Sequence, residues 1–66
     1  KEYAYFVERL CKARMEAGLT QVQVAKKLKR PQSHISNVES GQQRVDVVEL
    51  QNFAKIYDKD IKYFIK

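Results

Sequence analysis

The chain reads as an all-α fold of five short helices, and three observations predict it. Apolar residues recur at three- and four-residue spacing, strand-like alternation is nowhere sustained, and Gly18, Pro31 and Gly41 stand where helices stop or start. At 66 residues the chain is short enough for one core only, so a single domain over residues 1–66 is expected.

The first helix is expected over 3–17, with Phe6, Leu10, Ala13 and Ala17 along one face and Val7 beside them. Gly18 ends it, since glycine takes a left-handed cap at least cost. Thr20 and Gln23 then have the spacing of a capping box, opening a second helix over 21–28 with Val24, Ala25 and Leu28 as its inner stripe. Pro31 suits a first helical position, where its missing N–H costs nothing, so a third helix is expected over 31–40, stopped by Gly41. Asp46 and Glu49 repeat the capping-box spacing, and Val45 is placed to staple onto Leu50. The fourth helix, 47–57, would turn Val47, Leu50, Phe53, Ala54 and Tyr57 inward. Asp58 and Lys59 make a turn, and Asp60 caps a fifth helix over 61–65 carrying Ile61, Phe64 and Ile65. Only about three residues separate the second and third helices, the spacing of two helices that cross steeply with the second free to enter a groove.

Thirteen Lys and Arg against eight Asp and Glu leave a net charge of +5, which favours an anionic partner without choosing which. Cys11 is the only cysteine, so an internal disulfide and a cysteine-rich zinc site are both excluded. A single free thiol suits a reducing compartment, no apolar run approaches a membrane span, and no secretory pattern opens the chain. A cytoplasmic, nucleoid-associated protein is expected. A core this small supplies about 3–5 kcal/mol, so self-association is an expected source of support.

Each helical residue advances roughly 100°, so Gln32, Ser36, Ser33 and Asn37 fall within about 140° of arc on the third helix. Ile35 and Val38 point the other way, toward a core. The front is therefore polar and uncharged. Glutamine and asparagine amides present a donor and an acceptor side by side, matching the N6/N7 edge of adenine, and serine serves either role with less discrimination. Polar residues opposite an apolar stripe also describe any solvated helix. The short turn before this helix and the positive charge around it favour the base-reading role.

Backbone phosphates would be met by the flanks. Gln21 sits in the first turn of the second helix, where free amides and the dipole attract an anion. Lys26, Lys27, Lys29 and Arg30 gather at its far end, and Gln42, Gln43 and Arg44 follow the third helix. His34 borders the front and is a further phosphate candidate, particularly when protonated.

These residues resemble the Cro/CI-type helix-turn-helix family with its lambda-repressor-like fold. The resemblance runs from Phe6 to Phe64 through ERLCKARMEAGLTQ, VAKKL, RPQSHISNVESG, RVDVVEL and DIKYF. It implies five helices and control of transcription in a bacterium or phage through double-stranded DNA, usually as a two-fold dimer. By matching position it implies base-facing roles for Gln32, Ser33, Ser36 and Asn37 and phosphate anchoring by Gln21, with the loop at Gln42, Gln43 and Arg44 approaching the backbone. It also implies a structural ion pair between Arg14 and Glu39 beneath the recognition helix. Two positions depart from the pattern: Lys29 stands where glycine is usual, and Pro31 where a Ser or Thr cap is usual, as in members carrying an Arg-Pro-Gln-Ser start.

No enzyme emerges, for the carboxylates sit at caps or exposed faces and no phosphate loop or nucleophile motif is present. No cofactor or small-molecule ligand is expected. His34 alone is no metal site, and Cys11 reads as a half-buried, inert thiol. Ile56, Tyr63 and Ile65 exceed what the inner stripe needs and are the expected dimer surface. Two rivals stand beside the DNA-reading regulator. One is a helical protein-binding module, such as an antitoxin or coactivator-like adaptor, whose charge serves an acidic partner. The other is a nonspecific nucleoid binder.

Overall fold

A computed structural model describes residues 2–65. It contains α1 (Glu2–Glu16), α2 (Gln21–Leu28), α3 (Gln32–Glu39) and α4 (Val47–Tyr57), followed by a 3-10 turn at Ile61–Tyr63. There are thus four α-helices among the described residues, and the expected fifth is a single turn. Its bonds run from Tyr63 N to Asp60 O (2.9 Å) and from Phe64 N to Ile61 O (3.0 Å), and Asp60 Oδ1 accepts from Lys62 N at 2.9 Å. So short a stretch closes i→i+3 bonds but cannot offset the entropy of nucleating an α-helix.

The caps decide the other boundaries. Gly18 takes φ +72° after α1. Thr20 and Gln23 form a complete capping box, Gln23 N donating to Thr20 Oγ1 (3.1 Å) and Thr20 N to Gln23 Oε1 (2.8 Å). Pro31 is the N-cap of α3 and not its first helical residue. Its φ of −65° suits either role, but its ψ of 152° is extended, and it has no side chain to cap with. Ser40 likewise lies just past α3 as its C-cap. The second expected capping box is half made: Glu49 N donates to Asp46 Oδ1 at 2.7 Å, while the Glu49 carboxylate turns to α3. Lys29 and Asp58 close α2 and α4 in the left-handed region, at φ 59° and 56°. That conformation costs a residue with a Cβ about 1–2 kcal/mol relative to its ordinary helical form.

Leu10 and Ala13 of α1, Val24 and Ala25 of α2, Ile35 and Val38 of α3, and Phe53, Ala54 and Tyr57 of α4 bury together with Phe64. The α2 and α3 helices pack on each other, and α4 lies against α1, α2 and the 3-10 turn. Val45 and Leu50 both pack onto this core, as the staple requires. Two expected inner residues are outside it. Ala17 is exposed because α1 has ended, and Val47, in the first turn of α4, is 69% exposed.

A polar clamp holds the 3-10 turn to α1. The Arg9 guanidinium lies 3.8 Å from the Tyr63 ring centroid and its Nε donates to Tyr63 O at 2.9 Å. Tyr63 OH and Lys59 Nζ both donate to Glu16 Oε1, at 3.0 and 2.8 Å, and these bonds hold the Glu16 carboxyl below its usual range, Lys59 contributing most.

Tyr57 Oη is buried without a partner among the described residues, and burial raises the phenol well above its usual range. Tyr57→Phe is therefore expected to stabilise the fold by about 1–2 kcal/mol at pH 7, because an unpaired buried donor disappears. The sign in alkali follows from linkage. The unfolded phenol ionises near pH 10 while the folded one keeps its proton, so wild-type stability falls as pH rises past about 10. The variant lacks this contribution, and the gap between the two should widen above pH 10 in denaturant titrations.

Candidate nucleic-acid interface

The α3 helix is held from behind and from below. Ile35 and Val38 are 0% exposed, so the helix cannot roll about its axis without opening the core. Below its C-terminal end, Glu39 accepts from Arg14 Nε at 2.7 Å and Arg14 Nη2 at 3.2 Å. The same guanidinium donates through Nη1 to Leu19 O at 2.9 Å, so one side chain joins α1, the following turn and α3. The bond to Glu39 is the main cause of a raised Arg14 pKa, against an opposing effect of burial.

This anchoring leaves Gln32, Ser33, Ser36 and Asn37 exposed on the outer side of α3. The edge is exposed and uncharged. Its C-terminal end is fixed through Asn37 O, which accepts from Gln42 N (2.9 Å), Gln43 N (3.1 Å) and Ser40 Oγ (3.1 Å). Gly41 makes this tight reversal at φ +84°. The reversal puts Gln42, Gln43 and Arg44, all exposed, beside the end of the polar edge.

The flanking residues differ in how they are held. Gln21 is partly covered, and its Nε2 donates to Glu39 Oε1 at 3.1 Å, which ties the start of α2 to the end of α3. Arg44 lies with its guanidinium 4.0 Å from the Tyr3 ring centroid, while Tyr3 OH donates to Gln43 O at 3.2 Å. Tyr3 thereby pre-positions the cationic loop, a role that sequence reading missed. The partners lie 40 residues apart, and no local spacing could have paired them.

His34 also has a partner that its sequence neighbours do not suggest. Its Nε2 lies 3.0 Å from Glu49 Oε2, and its side chain is only 16% exposed. Arg30, far more exposed, reaches the same carboxylate oxygen at 3.6 Å. Glu49 therefore joins the N-terminal half of α3 to α4 and steadies Arg30 at the start of the turn. Lys26, Lys27 and Lys29 remain exposed and have no ion pair among the described residues.

Chemically, the surface offers adjacent amide and hydroxyl donors and acceptors on a rigid helix, bounded by cations at the end of α2 and in the loop after α3. That combination suits base edges between two phosphate strands. Among the described residues no group of His, Cys, Asp and Glu is assembled to hold a metal ion. No helix of the described residues is long and apolar enough to cross a membrane.

A family model described as helix-turn-helix matches residues 12–64, which take in α2, α3 and α4 whole. No curated protein and no solved structure matches the chain in the corresponding comparisons.

Proposed function

Because the chain belongs to the Cro/CI-type helix-turn-helix family of DNA-binding transcription regulators, we propose that it reads a specific sequence of double-stranded DNA by laying α3 in the major groove. The observation that carries this reading is the exposed, uncharged edge of Gln32, Ser33, Ser36 and Asn37, backed by fully buried Ile35 and Val38. Gln32 and Asn37 pair with adenine edges, and the two serines adapt to either polarity. Phosphate contacts fall to Gln21 at the start of α2, to Arg30, and to Gln42, Gln43 and Arg44. His34 adds a weaker one, since its Nε2 is already committed to Glu49.

The protein acts as a homodimer, each copy placing α3 in successive major grooves about 34 Å apart on a near-palindromic operator. Of the three residues expected to pair the copies, Ile56 packs against the core and Tyr63 is held in the clamp, whereas Ile65 is 51% exposed. Ile65 borders a cleft with Phe6, Val47 and Leu50, and Val48 is exposed beside Val47, so this apolar patch is the better-supported contact between copies. It borders the Arg44 loop, where two copies would brace each other's loops.

Titration of the protein with random-sequence duplex, and with the duplexes it selects from that pool, tests the reading at two salt concentrations. Affinity for both should fall with salt at a log–log slope of about −0.9 per neutralised phosphate, while the selected sequence keeps its advantage. Arg44→Ala should reduce that slope by about one on every sequence. A slope without preference would instead indicate a nonspecific binder, and absence of duplex binding a protein-binding module. Ile65→Asp should sediment as a monomer; an unchanged dimer would move the contact elsewhere.

A further inference from the structure

Between the last turn of α2 and the second half of α4 lies an open cleft of about 280 Å³, lined by Lys27, Leu28, Lys29, Asn52, Lys55 and Ile56. Three lysines, one asparagine and two aliphatic residues line it, and no acidic residue does. None of the three lysines has an ion pair among the described residues. Lys29 is the informative member. It occupies the left-handed C-cap of α2 at φ 59°, a position where glycine would serve the fold better, so the backbone accepts a cost in keeping a cation there. The helix dipole accounts for a general preference for cations at the end of α2. The same preference places Lys55 in the last turn of α4, but it does not account for the cleft that the two helix ends enclose over Leu28 and Ile56.

From this we propose that the cleft docks an acidic polypeptide segment of another protein, with one apolar side chain seated on Leu28 and Ile56 and flanking carboxylates held by Lys27, Lys29 and Lys55. Complementary charge selects the occupant, and the aliphatic floor selects a peptide over a phosphate strand, which has nothing to place there. Position supports the same choice. Asn52, Lys55 and Ile56 belong to α4, which packs on α1 and α2, and Ile56 is seven residues along α4 from Glu49, the residue that meets α3. Seven residues correspond to about 10 Å of helix. Lys27 and Lys29 stand just before Arg30 at the turn into α3, so the α4 wall of Asn52, Lys55 and Ile56 is the part of the cleft that stays open to a partner while α3 is engaged.

A fluorescein-labelled synthetic peptide with a single leucine between pairs of glutamates is a suitable probe. It would be titrated against the whole chain, alone and bound to its selected duplex, with amide shifts followed in parallel. The expected result is saturable binding in both states, with shifts centred on Leu28, Lys29, Asn52 and Ile56. Replacing the peptide leucine by serine should weaken binding, and Lys55→Ser, on the α4 wall, should weaken it several-fold while duplex affinity stays near wild type. Competition between peptide and duplex, with shifts on Gln32 to Asn37, would overturn the proposal by showing a generic polyanion on the α3 face. So would binding indifferent to Lys55 and to the leucine, or a loss of duplex affinity in Lys55→Ser equal to the loss of peptide affinity, which would make the cleft a phosphate contact. The peptide titration without duplex reads the cleft even if α3 were to bind no DNA, so the two readings fail separately.

Discussion

Glu39→Ala is expected to lower the stability of the folded chain by about 3–5 kcal/mol, comparable to everything a core of this size supplies. The carboxylate is 8% exposed and collects two bonds from Arg14 and one from Gln21. Removing it leaves a guanidinium only 15% exposed with Leu19 O as its one remaining oxygen acceptor, and a poorly compensated buried charge costs more than the pair contributes. Chemical denaturation should thus find much of the variant unfolded near room temperature. Replacing both partners, as Arg14→Leu with Glu39→Leu, should give a more stable protein than Glu39→Ala, because no charge is left alone. A loss below about 1 kcal/mol for Glu39→Ala would mark the pair as an ordinary screened bridge. The angle of α3 would then rest on the burial of Ile35 and Val38 alone.

Phe64→Ala should cost about 3–5 kcal/mol, although Phe64 only caps the single 3-10 turn after the last helix. Phe64 is 0% exposed and stands edge-on to Tyr63, at a centroid distance of 5.4 Å and an interplanar angle of 80°. The Arg9–Tyr63–Glu16 clamp would still hold the backbone nearby, so a cavity would remain instead of collapsing. Lys62→Ala, at an exposed position in the same turn, should change stability by no more than about 0.5 kcal/mol. Equal effects for the two substitutions would mean that the turn frays in solution and is not part of the core.

Much of the fold was legible because its signals are local. The Thr20–Gln23 box, Gly18 and the alternation of Ile35 and Val38 with polar neighbours each depend on residues within one or two turns. The ends of α3 were harder. Proline's fixed φ is the same for an N-cap and for a first helical residue, and only ψ tells them apart. The 61–65 stretch shows helical spacing but lacks the length to act on it. Glu49 illustrates a different limit. Its place three residues after Asp46 predicts a reciprocal cap, yet its carboxylate binds His34 and Arg30, which a cationic α3 border makes more favourable than a neutral amide.

For the candidate site, the polar edge of α3 followed from helical geometry alone, and the Arg14–Glu39 pair from family resemblance alone. The stack of Arg44 on Tyr3 came from neither, since it joins the start of α1 to the loop after α3. The same holds for the lysine-rimmed cleft, which exists only once α2 and α4 are packed. Tyr63 shows the converse. An aromatic that looked surplus to the core also bonds within the chain, to Arg9 and Glu16.

Base reading by the outer edge of α3 is tested most directly by parallel selection from random duplexes, once with the wild type and once with Gln32→Ala. The wild type should recover a defined, near-palindromic sequence. The variant should recover the same sequence except at one base pair per half-site, where preference falls by about 1–3 kcal/mol, or roughly 5–150-fold. If Gln32→Ala weakened every duplex equally, or recovered the wild-type sequence with unchanged preference, Gln32 would not be reading a base and the assignment of the α3 edge would be wrong.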